Sequence, residues 1–152
     1  MNANKEFLDY LRSKFLEFID ERSQKINTSL PGISAEKIFI SRRVKGRAPG
    51  NQRDIEAQFN SNGFEIVFME DIPFTEQICM MRNKKIIAGF HGAGLTNIIG
   101  ADPSTIVVEL FPSHGTNAYE KISRSLTNPY TKFDNKFCDQ PSKMQSQLVK
   151  LI

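Results

Sequence analysis

The sequence predicts an α/β fold, a Rossmann-like three-layer arrangement around a parallel sheet, and three observations predict it. Short β-branched or aromatic runs recur at 37–41 (KIFIS), 64–68 (FEIVF), 85–89 (KIIAG) and 105–110 (TIVVEL). Helical windows at 54–60, 74–82, 95–99 and 117–126 fill the intervals after them, which is the spacing of parallel strands joined by right-handed crossovers. A glycine-rich turn, GFHGAGLTN at 89–97, stands directly between the third strand and the next helical window. Residues 4–25 precede this pattern and place Phe7, Leu8, Leu11, Phe15, Phe18 and Ile19 at helical spacing, so a long amphipathic helix is expected to pack on the core. Asn27, Pro31 and Gly32 end it. A weak fifth strand is expected at 130–133, followed by a polar tail with a last helix.

Composition narrows the function. The chain of 152 residues is 39% hydrophobic and 24% charged, which describes an ordinary globular domain and excludes collagen-like, coiled-coil and disordered readings. No apolar run approaches the roughly 20 residues that cross a bilayer, and charges interrupt the N-terminus too often for a signal-peptide core. Cys79 and Cys138 lack CxxC spacing and, with only two histidines, cannot build a structural zinc site, so they read as free thiols. The net charge of +3 is too small for wholesale nucleic-acid binding. It is concentrated, however: Arg42, Arg43, Lys45, Arg47 and Arg53 fall within twelve residues that contain no acid. That segment is either a solvated loop or an anion site whose guanidinium forks match phosphate oxygens.

Gly92, Gly94 and Asn97 make GxGxxN, which lacks the third glycine of a dinucleotide fingerprint and follows the third predicted strand rather than the first. From spacing alone the loop reads either as a tight turn or as a phosphate site at a helix start. Glu109 ends the fourth predicted strand, where an acid can accept bonds from a ribose diol or simply face solvent. His91 suits a phosphate, a sugar hydroxyl or a structural hydrogen bond, whereas His114 lies in an unremarkable turn. Glu70 and Asp71 read as a turn into the next helix and not as an acid/base pair. The basic loop, the glycine loop and the acid converge on the carboxyl edge of one sheet, where a nucleotide diphosphate finds donors, cations and an acceptor for its sugar.

The words ISRR, GFHGAGLTN and VVELFP, in this order and spacing, resemble the nucleotide-binding half of glycosyltransferase family 61. The resemblance runs from the leading helix (FLDYLRSKF) through GFEIV and TEQI to NAYEKISRSL. It implies one Rossmann-like half of a GT-B glycosyltransferase that is inverting, needs no metal cofactor, and takes a nucleotide sugar, commonly a UDP-sugar, and a glycan or protein hydroxyl acceptor. Residues 1–32 then form an interdomain-type helix and connector, 33–134 the nucleotide-sugar domain and 135–152 a polar tail. Carried over by position, Arg42, Arg43, Arg47 and Asn51 line the donor phosphates. His91, Gly92, Ala93, Gly94, Leu95, Thr96 and Asn97 form the pyrophosphate loop, and Glu109 is the ribose acid. No catalytic base is identified; the acceptor site and the base are expected on an N-terminal domain or a partner chain. A non-catalytic nucleotide-binding module and an NAD-type domain are the competing readings. Asn27-Thr28-Ser29 is a formal glycosylation sequon that does not decide between a bacterial cytoplasm and a eukaryotic lumen.

Overall fold

Each strand alternates its side chains between two faces, and both faces are covered by helices, so the strands read as almost uninterrupted apolar runs. The structure, a computed structural model, describes residues 3–22, 25, 28–43, 49–110, 115–134 and 140–151. The elements in chain order are α1 (Ala3–Arg22), β1 (Lys37–Ser41), α2 (Gln52–Ser61), β2 (Glu65–Phe68), α3 (Phe74–Met80), β3 (Ile86–Phe90), β4 (Ile106–Leu110), α4 (Ala118–Ser125), β5 (Tyr130–Phe133) and α5 (Pro141–Leu151). Short 3₁₀ segments cover Met69–Asp71 and Ala93–Gly100. The five strands form one sheet of order β2-β1-β3-β4-β5, every pair parallel. The Rossmann-like three-layer arrangement is therefore realised, and the expected fifth strand is part of it.

On one face Phe39, Ala88, Phe90, Val108 and Leu110 pack against Ile55 and Phe59 of α2 and against Met144 and Leu148 of α5. Phe39 stacks on Phe59 with ring centroids 4.2 Å apart and meets Phe90 edge-on at 5.1 Å. Each such fully buried side chain contributes about 1.5–3 kcal/mol. On the other face Ile38, Ile40, Ile87 and Val107 pack against Met80, Leu95 and Ile98. α1 lies outside this second layer, where Ile19 meets Ile78 and Cys79 and the Arg12 guanidinium donates to the Ala101 carbonyl at 2.7 Å.

Two differences from the sequence reading have clear causes. The window at 95–99 is 3₁₀ and not α: Leu95, Ile98 and Ala101 are fully buried at intervals of three, the repeat at which 3₁₀ side chains eclipse on one face. The polar tail also carries core residues, because Met144 and Leu148 sit four apart on one face of α5. No helix among the described residues is long and apolar enough to cross a membrane.

Candidate functional site

The chain leaves β1 toward β2 with α2 on one face, then crosses back to β3 with α3 on the other. The carboxyl ends of β1 and β3, adjacent in the sheet, thus diverge, and this strand order opens its crevice at that switch point. A cavity of about 600 Å³ lies there. Its walls are Ile40, Ser41 and Arg42 from the end of β1, Met69 and Glu70 after β2, Phe74 and Gln77 of α3, and Phe90, Gly92, Ala93, Gly94, Thr96 and Asn97 from the glycine loop.

Arg42 is fixed from both sides. The buried Ser41 hydroxyl bonds Glu56 and accepts from the Gln52 amide at 2.9 Å, and the same amide donates to the Arg42 carbonyl at 2.7 Å and to Glu56 at 2.7 Å. The guanidinium lies across Gly92, so closely that a Cβ there would meet its Nη2 at 1.8 Å. The three glycines of the loop therefore serve different contacts. A Cβ on Gly89 would meet the Ile40 Cβ at 2.9 Å and the Ile40 carbonyl at 3.1 Å, and one on Gly94 would meet the Ile40 Cγ2 at 2.9 Å, so these two let the loop lie on β1. Only Gly92 makes room for a cation. By helix geometry the first N–H groups of the segment starting at Ala93 have no partner within it and can serve an anion.

Asn97 is buried and donates to Gln77 at 2.9 Å, while the Gln77 amide donates to the Met69 carbonyl at 2.9 Å and to the Ile72 carbonyl at 2.8 Å. One glutamine thus ties together three walls of the cavity. Phe74 stands 59% exposed at its mouth. Leu95 is not a wall at all: it is fully buried in the core below.

Arg43 turns away from Arg42. Its Nε donates to the two Asp71 carboxylate oxygens at 3.1 and 2.8 Å, its backbone N–H to Glu70 at 3.2 Å, and its guanidinium lies 4.1 Å from the Phe68 ring centroid. Because both partners are half exposed and screened by solvent, this ion pair adds little to stability. Arg43, Asn51 and Arg53 line a neighbouring hollow at the start of α2. Arg47, His114, Cys138 and the sequon asparagine Asn27 lie outside the described residues.

Glu109 does not face solvent. It is fully buried, and its two oxygens are bonded by the His91 Nδ1 and the Tyr130 hydroxyl. Burial, reinforced by the bond to Glu109, pushes the Tyr130 hydroxyl pKa up, so Tyr130 remains a donor. The His91 ring meets the Tyr119 ring edge-on at 5.1 Å, and its backbone N–H donates to the Leu110 carbonyl at 2.9 Å. His91 and Glu109 accordingly lie on the β4–β5 side of the loop, beside the cavity walls and not among them. Sequence reasoning does not single out Tyr130, Gln77 or Gln52, whose importance depends on partners 21, 20 and 11 residues away. Among the described residues no three of His, Cys, Asp and Glu are grouped so as to hold a metal ion.

The family model described as Glycosyltransferase 61 matches residues 1–108 of the chain. The chain is also 33% identical over 113 residues to the EGF domain-specific O-linked N-acetylglucosamine transferase of Drosophila melanogaster. That alignment covers 72% of this chain and 22% of the fly protein.

Proposed function

This chain belongs to glycosyltransferase family 61, and from that premise we propose that it supplies the donor site of a glycosyl transfer in which a nucleotide sugar, a UDP-sugar, gives its sugar to a hydroxyl acceptor with inversion. The observation that carries the reading is the Arg42 guanidinium laid across Gly92 at the β1/β3 switch point, where that cation and the glycine loop line one cavity. In such a transfer a base takes the acceptor proton, the acceptor oxygen bonds to the anomeric carbon, and the bond from that carbon to the diphosphate breaks with its electron pair on the diphosphate. Arg42 and the N–H groups from Ala93 onward stabilise the charge that develops there, which is work a metal does in other sites. Asn51, in the neighbouring hollow, extends the phosphate region in this reading, and Thr96 and Asn97 complete the loop. The matched segment is about a fifth of the fly enzyme, which by its name is an EGF domain-specific O-linked N-acetylglucosamine transferase. The acceptor site and the base belong, in this reading, to another domain or a partner chain.

Calorimetric titration with UDP, and with NAD for comparison, tests this. We expect saturable UDP binding, weaker by about 10- to 100-fold in Arg42→Ala, and no comparable NAD binding. Absence of UDP binding overturns the reading, and a preference for NAD replaces it with a dinucleotide site. A chain that binds UDP but supports neither hydrolysis nor transfer of the sugar, even with an acceptor-binding domain added, is a nucleotide-binding module.

A further inference from the structure

The walls of the cavity are sorted by charge. Among the described residues that line it, Arg42 is the one cation and Glu70 the one acid. The Arg42 guanidinium lies toward β3, across Gly92, whereas Glu70 belongs to the turn that follows β2. β1 runs between those two strands, and neighbouring strands lie about 4.8 Å apart, so the strands that carry the two walls end about 10 Å from each other. The Glu70 carboxylate is held at the end of β1, where it accepts from the Arg43 backbone N–H at 3.2 Å while the Arg43 side chain turns to Asp71. Phe74, the first residue of α3, lines the cavity beside Glu70 and is 59% exposed. A single exposed ring means little by itself. This one is fixed in place by Gln77, whose bonds to the Met69 and Ile72 carbonyls clamp α3 to the turn that carries Glu70. Glu109, expected from the sequence to take a ribose, cannot serve: it is 0% exposed, its two oxygens are bonded by His91 and Tyr130, and it is not a wall of the cavity.

We propose that the ligand lies across β1, with its diphosphate on Arg42 and the glycine loop, its ribose hydroxyls on the Glu70 carboxylate and its base stacked on the Phe74 ring. This deepens the donor-site reading and rests on it. A carboxylate has only acceptor oxygens, which suit neighbouring hydroxyls and repel a phosphate, so Glu70 also sets which end of the ligand lies where. An aromatic face stacks on any base. The ligand class recognised is therefore a ribonucleoside diphosphate, with Glu70 the residue that distinguishes ribose from deoxyribose.

The test titrates the full chain by calorimetry with UDP, with 2′,3′-dideoxy-UDP and with inorganic pyrophosphate, following the melting temperature of every variant. Both side chains are exposed, so Glu70→Gln and Phe74→Ala should melt like the wild type. We expect Phe74→Ala to weaken UDP about 5- to 150-fold and Phe74→Tyr to restore most of the loss, with pyrophosphate changed by no more than about twofold in either. Glu70→Gln should weaken UDP about 5- to 30-fold, change the dideoxy nucleotide by no more than about twofold, and leave pyrophosphate bound at least as tightly. Variants that bind UDP like the wild type overturn the proposal and leave the donor site standing. Loss of UDP and pyrophosphate by the same factor overturns it too, since the two residues would then act on the diphosphate or on the loop. An equal Glu70→Gln penalty on UDP and its dideoxy form overturns the ribose contact. Where pyrophosphate alone binds too weakly to measure, the dideoxy comparison and the tyrosine rescue decide. If the wild type binds neither UDP nor pyrophosphate, the donor-site reading falls first.

Discussion

Gly92→Ala separates the work of one cation from the stability of the loop around it. The backbone at Gly92 is extended (φ 162°, ψ 177°), so alanine fits the chain conformation. Its Cβ does not fit the space: it would lie 1.8 Å from the Arg42 Nη2, 2.7 Å from Cζ and 3.2 Å from Nε. Nonbonded heavy atoms settle at about 3.5–4 Å, so the guanidinium must retreat by about 2 Å. It is the end of a flexible side chain, and its retreat should cost less than about 1 kcal/mol of folding stability. The loss appears instead in binding. Hydrogen bonds to charged groups contribute about 1.5–3 kcal/mol, which at about 1.4 kcal/mol per tenfold gives UDP binding about 10- to 150-fold weaker. Calorimetry on wild type, Gly92→Ala, Arg42→Ala and the double variant closes the cycle: with Arg42 absent, Gly92→Ala should cost no more than about twofold. A Gly92→Ala chain that binds UDP like the wild type, or that loses the same factor in both backgrounds, refutes the reasoning.

Three further outcomes follow from contacts described above or from the base of the sheet. Lys84, 4% exposed with its Nζ donating to the Ile33 carbonyl at 2.8 Å, has its pKa lowered by burial to about 8. The unfolded chain then holds more protons between pH 8 and 10.5, so this residue's contribution to stability rises with pH across that window. In urea unfolding the wild type should gain about 2–3 kcal/mol on Lys84→Met from pH 7 to 10, and a difference that does not change with pH contradicts this. Gln77→Ala strips donors from the Met69 and Ile72 carbonyls and the partner from Asn97; we expect a loss of about 2–3 kcal/mol in denaturant unfolding together with weaker UDP binding, and unchanged stability would refute it. Gly89→Ala, which drives a Cβ against the backbone of Ile40, should destabilise by about 1–3 kcal/mol, read from the melting temperature, where an unshifted transition would count against it.

The strands were legible because a sheet covered on both faces demands β-branched and aromatic residues at nearly every position, and runs such as KIFIS have few other uses. The convergence of Arg42 with the glycine loop was legible for the same reason: both follow strands of a parallel sheet and so share its carboxyl edge. Side-chain destinations were not. Arg42 and Arg43 are neighbours in sequence, yet one lies across Gly92 and the other reaches Asp71, a choice set by the turn after β2. The functions of Gly89, Gly92 and Gly94 likewise depend on what Ile40 and Arg42 present from the adjacent strand, which no local spacing reveals. Glu109 looked exposable because it ends a strand; the fifth strand, read as weak, brings the Tyr130 that helps to enclose it.

The position of the cavity between β1 and β3 has a consequence for how the molecule opens. Its two main walls, at residues 40–42 and 90–97, are separated in sequence by α2, β2 and α3, the whole excursion to the sheet edge and back. Any fluctuation that peels this edge away from β3 pulls the walls apart, so a bound ligand must be released before the edge departs. Occupancy then acts as a rivet between two halves of the chain, and adds RT ln(1 + [L]/Kd) to the free energy of every opening that parts them. Amides of β1 and β2 should exchange more slowly with ligand present even though β2 touches the ligand site only through the turn that follows it, whereas fraying that leaves both walls in place is unaffected.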